Sequence, residues 1–226
     1  MKATLTALIG LSVTTVTTTM IGTGTALADA LLLSTTQQDY SITYNEPSGK
    51  PATQTLAKGT DTLGYLAVPA SPGKPLAVTI SDPDGSVLAK ATVVDNRSYV
   101  LMPAGKALKV VAAGLVSQTA STNYQGVGIV SALPGTYSID LFGDSGQGGS
   151  KALKPANAFD IKATTKLPAS DTRYKATITL QDGSKVQGLS SVDAGSYVVV
   201  HKNYQGVVTL SSAGYIDLPA KGPVKK

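Results

Sequence analysis

Lys175-Ala176-Thr177-Ile178-Thr179-Leu180-Gln181-Asp182-Gly183-Ser184 is the stretch from which the fold is read. Ala176, Ile178 and Leu180 alternate with polar residues, and β-branched side chains are frequent. That period of two describes a strand with one buried and one wet face. The run stops at Asp-Gly, a pair that accepts the positive φ angles of a tight hairpin turn. A two-residue turn is expected there, with a second strand over 184–192.

The same text stands earlier in the chain. Leu76, Val78 and Ile80 alternate and lead to Asp84-Gly85-Ser86. Val94-Asp95 and Ser98-Tyr99-Val100 return as Val192-Asp193 and Ser196-Tyr197-Val198, at the 98-residue offset that also relates the two Asp-Gly-Ser triplets. Asn123-Tyr124-Gln125-Gly126-Val127 returns intact as Asn203-Tyr204-Gln205-Gly206-Val207, and Ile139-Asp140-Leu141 as Ile216-Asp217-Leu218. Order is kept throughout, so the chain reads as an internal duplication with copies at 69–141 and 168–218. The apolar run Val198-Val199-Val200 suits a central strand. Copy one carries an extra segment, 104–122, with room for a strand over 107–112. Further strands are expected at 39–44 and 63–68, and no window shows a helical apolar period.

The expected fold class is therefore all-β: two tandem, duplicated small β-sandwich domains. The first domain spans 29–143. A Gly/Ser/Pro linker follows at 144–157, then a second domain at 158–219 and a basic tail at 220–226. Residues 1–28 read as an export signal. Lys2 is the only charge before Asp29, and Ala26-Leu27-Ala28 is a small-x-small cleavage site. The expected location is the periplasm. There is no cysteine, so disulfides and thiol chemistry are excluded. Removing Lys2 from the 19 basic residues leaves 18 against 14 acidic ones, a scattered excess that speaks to solubility rather than nucleic acid.

Catalytic constellations are sparse. Gly143-Asp144-Ser145-Gly146 looks like a serine-protease nucleophile segment, but the single histidine, His201, lies after it and the stretch has linker composition. His201 has no identifiable partner. One histidine without cysteine offers no metal cluster. Asp82-Pro83-Asp84-Gly85 lacks the later ligands of a calcium loop and reads as a turn. Asn96-Arg97-Ser98 is a formal glycosylation sequon on which nothing structural depends. No cofactor and no catalytic residue is expected, and the chain is read as a non-enzyme. The repeated Asn-Tyr-Gln is the candidate binding segment. Tyr124 and Tyr204 would stack on sugar rings, with Asn123, Gln125, Asn203 and Gln205 as hydrogen-bonding amides. The competing account is scaffold: the segment begins a strand, with the tyrosine packing a sandwich corner and the glycine permitting a bulge.

The layout resembles the AlgF family, exported accessory proteins of bacterial alginate O-acetylation with relatives in cellulose acetylation. The resemblance rests on the signal ending Ala-Leu-Ala-Asp-Ala, the strand Tyr40 to Asn45 shortly after it, two small β-domains, and the hairpin Leu180-Gln-Asp-Gly-Ser-Lys185. It implies a non-catalytic adaptor of exopolysaccharide O-acetylation, with periplasmic or membrane acetyltransferase proteins as partners and polysaccharide, anionic or neutral, as a further contact. A carbohydrate-binding or surface-adhesion module is the alternative.

Overall fold

The computed structural model describes residues 29–59, 62–117, 127–133, 135–143, 148–153, 173–187 and 192–216. Among them the structure is all-β, in three sheets without a helix. The first eight strands are β1 (Ala30–Ser34), β2 (Tyr40–Asn45), β3 (Pro51–Leu56), β4 (Gly64–Val68), β5 (Leu76–Ser81), β6 (Val87–Val93), β7 (Arg97–Ala104) and β8 (Ala107–Leu115). The next four are β9 (Gly128–Ser131), β10 (Tyr137–Gly143), β11 (Gly148–Leu153) and β12 (Arg173–Thr179). The last are β13 (Lys185–Gln187), β14 (Val192–Asp193), β15 (Ser196–Lys202) and β16 (Val208–Tyr215).

A central sheet of seven strands runs β4-β1-β7-β8-β16-β15-β9. A four-stranded sheet, β3-β2-β5-β6, accompanies its first half. A five-stranded sheet, β11-β10-β12-β13 with β14 beside β12, accompanies its second. The pairings recur in order. β1 lies parallel to β7, and β9 lies parallel to β15. β2 pairs with β3 and β5, as β10 does with β11 and β12. β7-β8 and β15-β16 are both hairpins, each with a bulge near its start.

Two expectations change here. β9 and β10 end at or before Gly143, yet they pair with β15 and β12, so strand pairing crosses the boundary expected at 143. Within the expected linker 144–157, residues 148–153 form β11, an outer strand of its sheet. Glycine is a poor strand former, but an antiparallel partner on one side is enough to hold it extended.

The central strands are apolar without alternation because both of their faces are covered. Along β7, Tyr99 and Leu101 enter a core shared with Ile42, Tyr44, Val78 and Ile80 of the four-stranded sheet. Along β15, Val198 and Val200 enter a core with Ile139, Leu141, Tyr174 and Ile178 of the five-stranded sheet. The intervening residues, Val100 and Met102 of β7 and Tyr197 and Val199 of β15, meet in a third core with Leu33, Val111, Val130 and Ala213. The two halves of the seven-stranded sheet therefore pack back to back. They join where β8 meets β16 at the pair Leu115 and Tyr215. Each large apolar side chain so buried contributes about 1.5–3 kcal/mol relative to exposure.

The hairpin turns are one residue longer than the sequence suggests. Gly85 N–H donates to the Asp82 carbonyl (3.1 Å), and Asp82 N–H donates to that of Ser86 (3.0 Å). Residues 46–50, 180–184 and 203–207 repeat this pattern, with Gly49, Gly183 and Gly206 at positive φ. Each is a turn closed by a left-handed glycine, the three-residue loop built on a type I turn.

Register separates the sequence matches from the structural ones. Asn96 (φ 52°) and Gly195 (φ 79°) both take the left-handed conformation, and their carbonyls accept from Val116 and Ile216 respectively. Positions matched by this turn geometry are thus 99 apart, not 98. Tyr99 consequently stands opposite Leu32, where Val198 stands opposite Ile129. A one-residue slip sends a side chain to the other face. Tyr99 faces the first sheet pair, and its text match Tyr197 faces the shared central core.

Candidate functional site

The candidate binding residues fall in two places. Asn123, Tyr124 and Gln125 lie outside the described residues. Asn203, Tyr204 and Gln205 form the loop between β15 and β16. Asn203 Oδ1 accepts from the backbone N–H of Gln205 (3.0 Å) and of Val207 (2.9 Å), so its amide oxygen is committed to holding the turn. Gln205 Nε2 donates to the Tyr204 hydroxyl (2.9 Å) on the surface. The two pentapeptides are not equivalent in position. Val127 is fully buried ahead of β9, whereas Val207 is 51% exposed in a hairpin loop.

Asp82 behaves as a turn residue: its Oδ1 accepts from Ser86 N–H at 2.8 Å. Asn96 carries more than the sequence suggests. Its Oδ1 accepts from Ser117 N–H (2.8 Å) and Ser117 Oγ (3.0 Å), and its Nδ2 donates to the Ser117 carbonyl (3.1 Å). That amide pins the chain beyond β8 to the β6-β7 turn. Residues 144–147, with the protease-like Ser145, lie outside the described residues.

Two cavities sit at matching ends of the two sheet pairs. One, of 530 Å³, includes Thr36, Tyr40, Asp82, Pro103 and Leu108. The other, of 240 Å³, includes Leu133, Tyr137, Leu180, Lys202 and Val208, the last two flanking the Tyr204 loop. Tyr40 donates to or accepts from Thr36 Oγ1 at 2.7 Å. Burial pushes the Tyr137 phenol up to about 12, with the nearby Ser131 hydroxyl pulling the other way, so it stays neutral.

A third cleft, of 420 Å³, opens where the back-to-back halves part. One wall is Leu31, Leu33, Thr62, Leu63 and Tyr65, from β1, the residues just before β4, and its start. The other is Thr209, Leu210, Ser211 and Ser212 of β16. Tyr65 is 73% exposed, an aromatic ring projecting from β4, where Gly64 and Val68 are buried and Ala67 is exposed. The cleft thus joins an aromatic side chain and leucines to the hydroxyl-bearing Thr209 and Ser211, which share a face of β16, and its lining carries no formal charge.

Beside this cleft lies the pair that the sequence did not disclose. His201 is 2% exposed, and its Nε2 stands 2.8 Å from Ser211 Oγ. Its Nδ1 stands 3.0 Å from the Lys202 carbonyl. A carbonyl only accepts, so Nδ1 carries the proton, and in the neutral ring Nε2 accepts from the serine hydroxyl. Burial holds the imidazole below its ordinary value, and the Lys202 hydrogen bond opposes this. The sequence signal was available in principle. The loop 203–207 sets the register His201 to Thr209, which leaves Ser211 diagonal to the ring on the same face.

Among the described residues, no group of three or more acidic, His or Cys side chains is placed to hold a metal ion. No helix there is long and apolar enough to cross a membrane. No family model matches the chain, and no curated protein matches it. Among solved structures it is similar to the family CBM26 module from Eubacterium rectale Amy13K, described in complex with maltoheptaose. The identity is 12%, over 84% of this chain and 98% of that one, with a TM-score of 0.25. A score that low carries no argument about either architecture or ligand.

Proposed function

We propose that this protein is an exported saccharide-binding module that presents a neutral glycan segment in the cleft between β4 and β16. The observation that supports this reading is Tyr65. An exposed ring beside Leu31, Leu33 and Leu63, across from Thr209 and Ser211 on one face of β16, matches the two sides of a sugar. The C–H face of a pyranose packs on the aromatic plane, and its hydroxyls exchange hydrogen bonds with those of Thr209 and Ser211. The uncharged lining favours a neutral chain over a uronate polymer, for which a positive site would be needed. Tyr204 and Gln205 remain exposed near the second end cavity and form a further candidate contact.

The same architecture supports a second reading, the adaptor of exopolysaccharide O-acetylation with acetyltransferase partners. β3 and β6 are both outer strands of the four-stranded sheet, and among the described residues their outer edges are unpaired and open to a partner strand. We further infer that the chain is a duplication whose units run from β1 to β8 and from β9 to β16, rather than dividing at 143.

Affinity electrophoresis through gels containing neutral or uronate polysaccharides tests the binding reading. Retardation of the protein by a neutral polymer, weakened about tenfold in Tyr65→Ala, is expected; that factor corresponds to about 1.4 kcal/mol. Equal mobility in every gel would remove the reading. A partner protein co-purifying through the β3 or β6 edge without polymer binding would favour the adaptor.

A further inference from the structure

The second half of the molecule places a polar pair where the first half is apolar. In the β7-β8 hairpin, Val100 is opposite Val111 and Met102 is two residues further along β7. In the β15-β16 hairpin, Val199 is opposite Ser211 and His201 is two residues further along β15. His201 and Ser211 thus occupy the places of Met102 and Val111, both buried and both members of the central core. The fold does not need polar groups at these positions, and burying them forfeits apolar contact. What differs is the surrounding space: Ser211 lines the open cleft.

We propose that Ser211 is a nucleophile that accepts an acyl group from an O-acylated saccharide in this cleft, with His201 as its general base. The proposal rests on the reading of the cleft as a saccharide site. The hydrogen-bond chain has the order that nucleophilic serines require: hydroxyl to Nε2 at 2.8 Å, and Nδ1–H held by a fixed acceptor, here the Lys202 carbonyl at 3.0 Å. As Oγ attacks the ester carbonyl carbon, its proton passes to Nε2. The bond from that carbon to the sugar oxygen then breaks, and Nε2 returns the proton to the departing alkoxide. The acyl group remains as an ester on Ser211. Water, or a hydroxyl of a second sugar, then attacks the ester carbon as its proton passes to Nε2; the bond from that carbon to Oγ breaks, and Nε2 returns the proton to Oγ, restoring the serine and the neutral ring. Along 208–213 no described strand pairs with the side of β16 away from β15, which leaves the cleft beside Ser211 open to a substrate.

The test is covalent and does not need the natural ester. The full chain is incubated with a fluorophosphonate, and the adduct is located by intact mass and peptide mapping. A single adduct on Ser211 is expected, absent in a folded Ser211→Ala variant and forming about 100-fold more slowly in His201→Gln. Should His201→Gln not fold, the wild-type map and Ser211→Ala decide. Folded wild-type protein without an adduct at Ser211, or with one only on another serine, overturns the proposal. If that protein still binds a neutral polysaccharide, the acyl step falls and the saccharide reading stands. If it binds none, both fall.

Discussion

Replacing His201 and Ser211 by the residues at their equivalent positions, methionine and valine, separates pairing from packing. Ser211→Val alone strands the Nε2 of a ring that is only 2% exposed. An unsatisfied buried acceptor costs about 1–3 kcal/mol. His201→Met alone frees the Ser211 hydroxyl. That group borders the cleft and reaches water, so the cost lies near about 1 kcal/mol. Together the changes leave no stranded polar atom and reproduce the Met102 and Val111 arrangement, which the opposite half-sheet already packs. The double variant is expected within about 0.5 kcal/mol of wild type, a coupling of about 2 kcal/mol between neighbours. Urea denaturation followed by far-ultraviolet circular dichroism reads this directly. With a slope of about 2 kcal/mol/M, the serine change moves the midpoint down by about 1 M and the second change restores it. Costs that simply add would refute both the hydrogen bond and the equivalence of the two hairpins.

Three further perturbations address separate contacts. Because burial depresses the His201 imidazole, the unfolded chain takes up a proton near 6.5 while the folded one resists it. Stability from this group is complete above that pH and falls as pH drops below it, so the urea midpoint should decline from pH 7.5 to 5.0, less so in His201→Met. In Gly128→Ala the new Cβ would stand 2.6 Å from the Tyr197 ring, and about 1–3 kcal/mol should be lost; an unchanged midpoint would mean the ring is not held there. Asn96→Ala removes three hydrogen bonds to Ser117 and a residue tolerant of positive φ, so a loss of about 1–2 kcal/mol is expected, with faster amide exchange around Ser117.

The strands themselves were open to reading where they alternate. Tyr40, Ile42 and Tyr44, or Ala176 and Ile178, announce one buried face, and the structure buries them. β1 was not legible, because Ala30-Leu31-Leu32-Leu33 is covered on both faces and therefore has no period. The way the recurring pairings share one seven-stranded sheet was also hidden. Identical words mark turns and strand starts, which chemistry constrains locally, so they recur in places that are not equivalent. The Asn-Tyr-Gln-Gly-Val at 203–207 is a hairpin loop whose partner in the first half is the tighter turn between Ala104 and Ala107. Even the Ser-Tyr-Val match is displaced by one rung, a difference that only the ladder and its bulges reveal. The cleft needed tertiary structure outright. Tyr65 and Ser212 are separated by most of the chain, and only the back-to-back packing brings β4 and β16 together. The same packing turns an isolated histidine into half of a pair.

Hydrogen–deuterium exchange of the full chain with and without a neutral oligosaccharide addresses the central claim, that the cleft between β4 and β16 is the binding site. The account predicts slowed exchange confined to peptides covering 62–66 and 208–213. Protection restricted to the 203–207 loop, or none at saturating sugar, would contradict it.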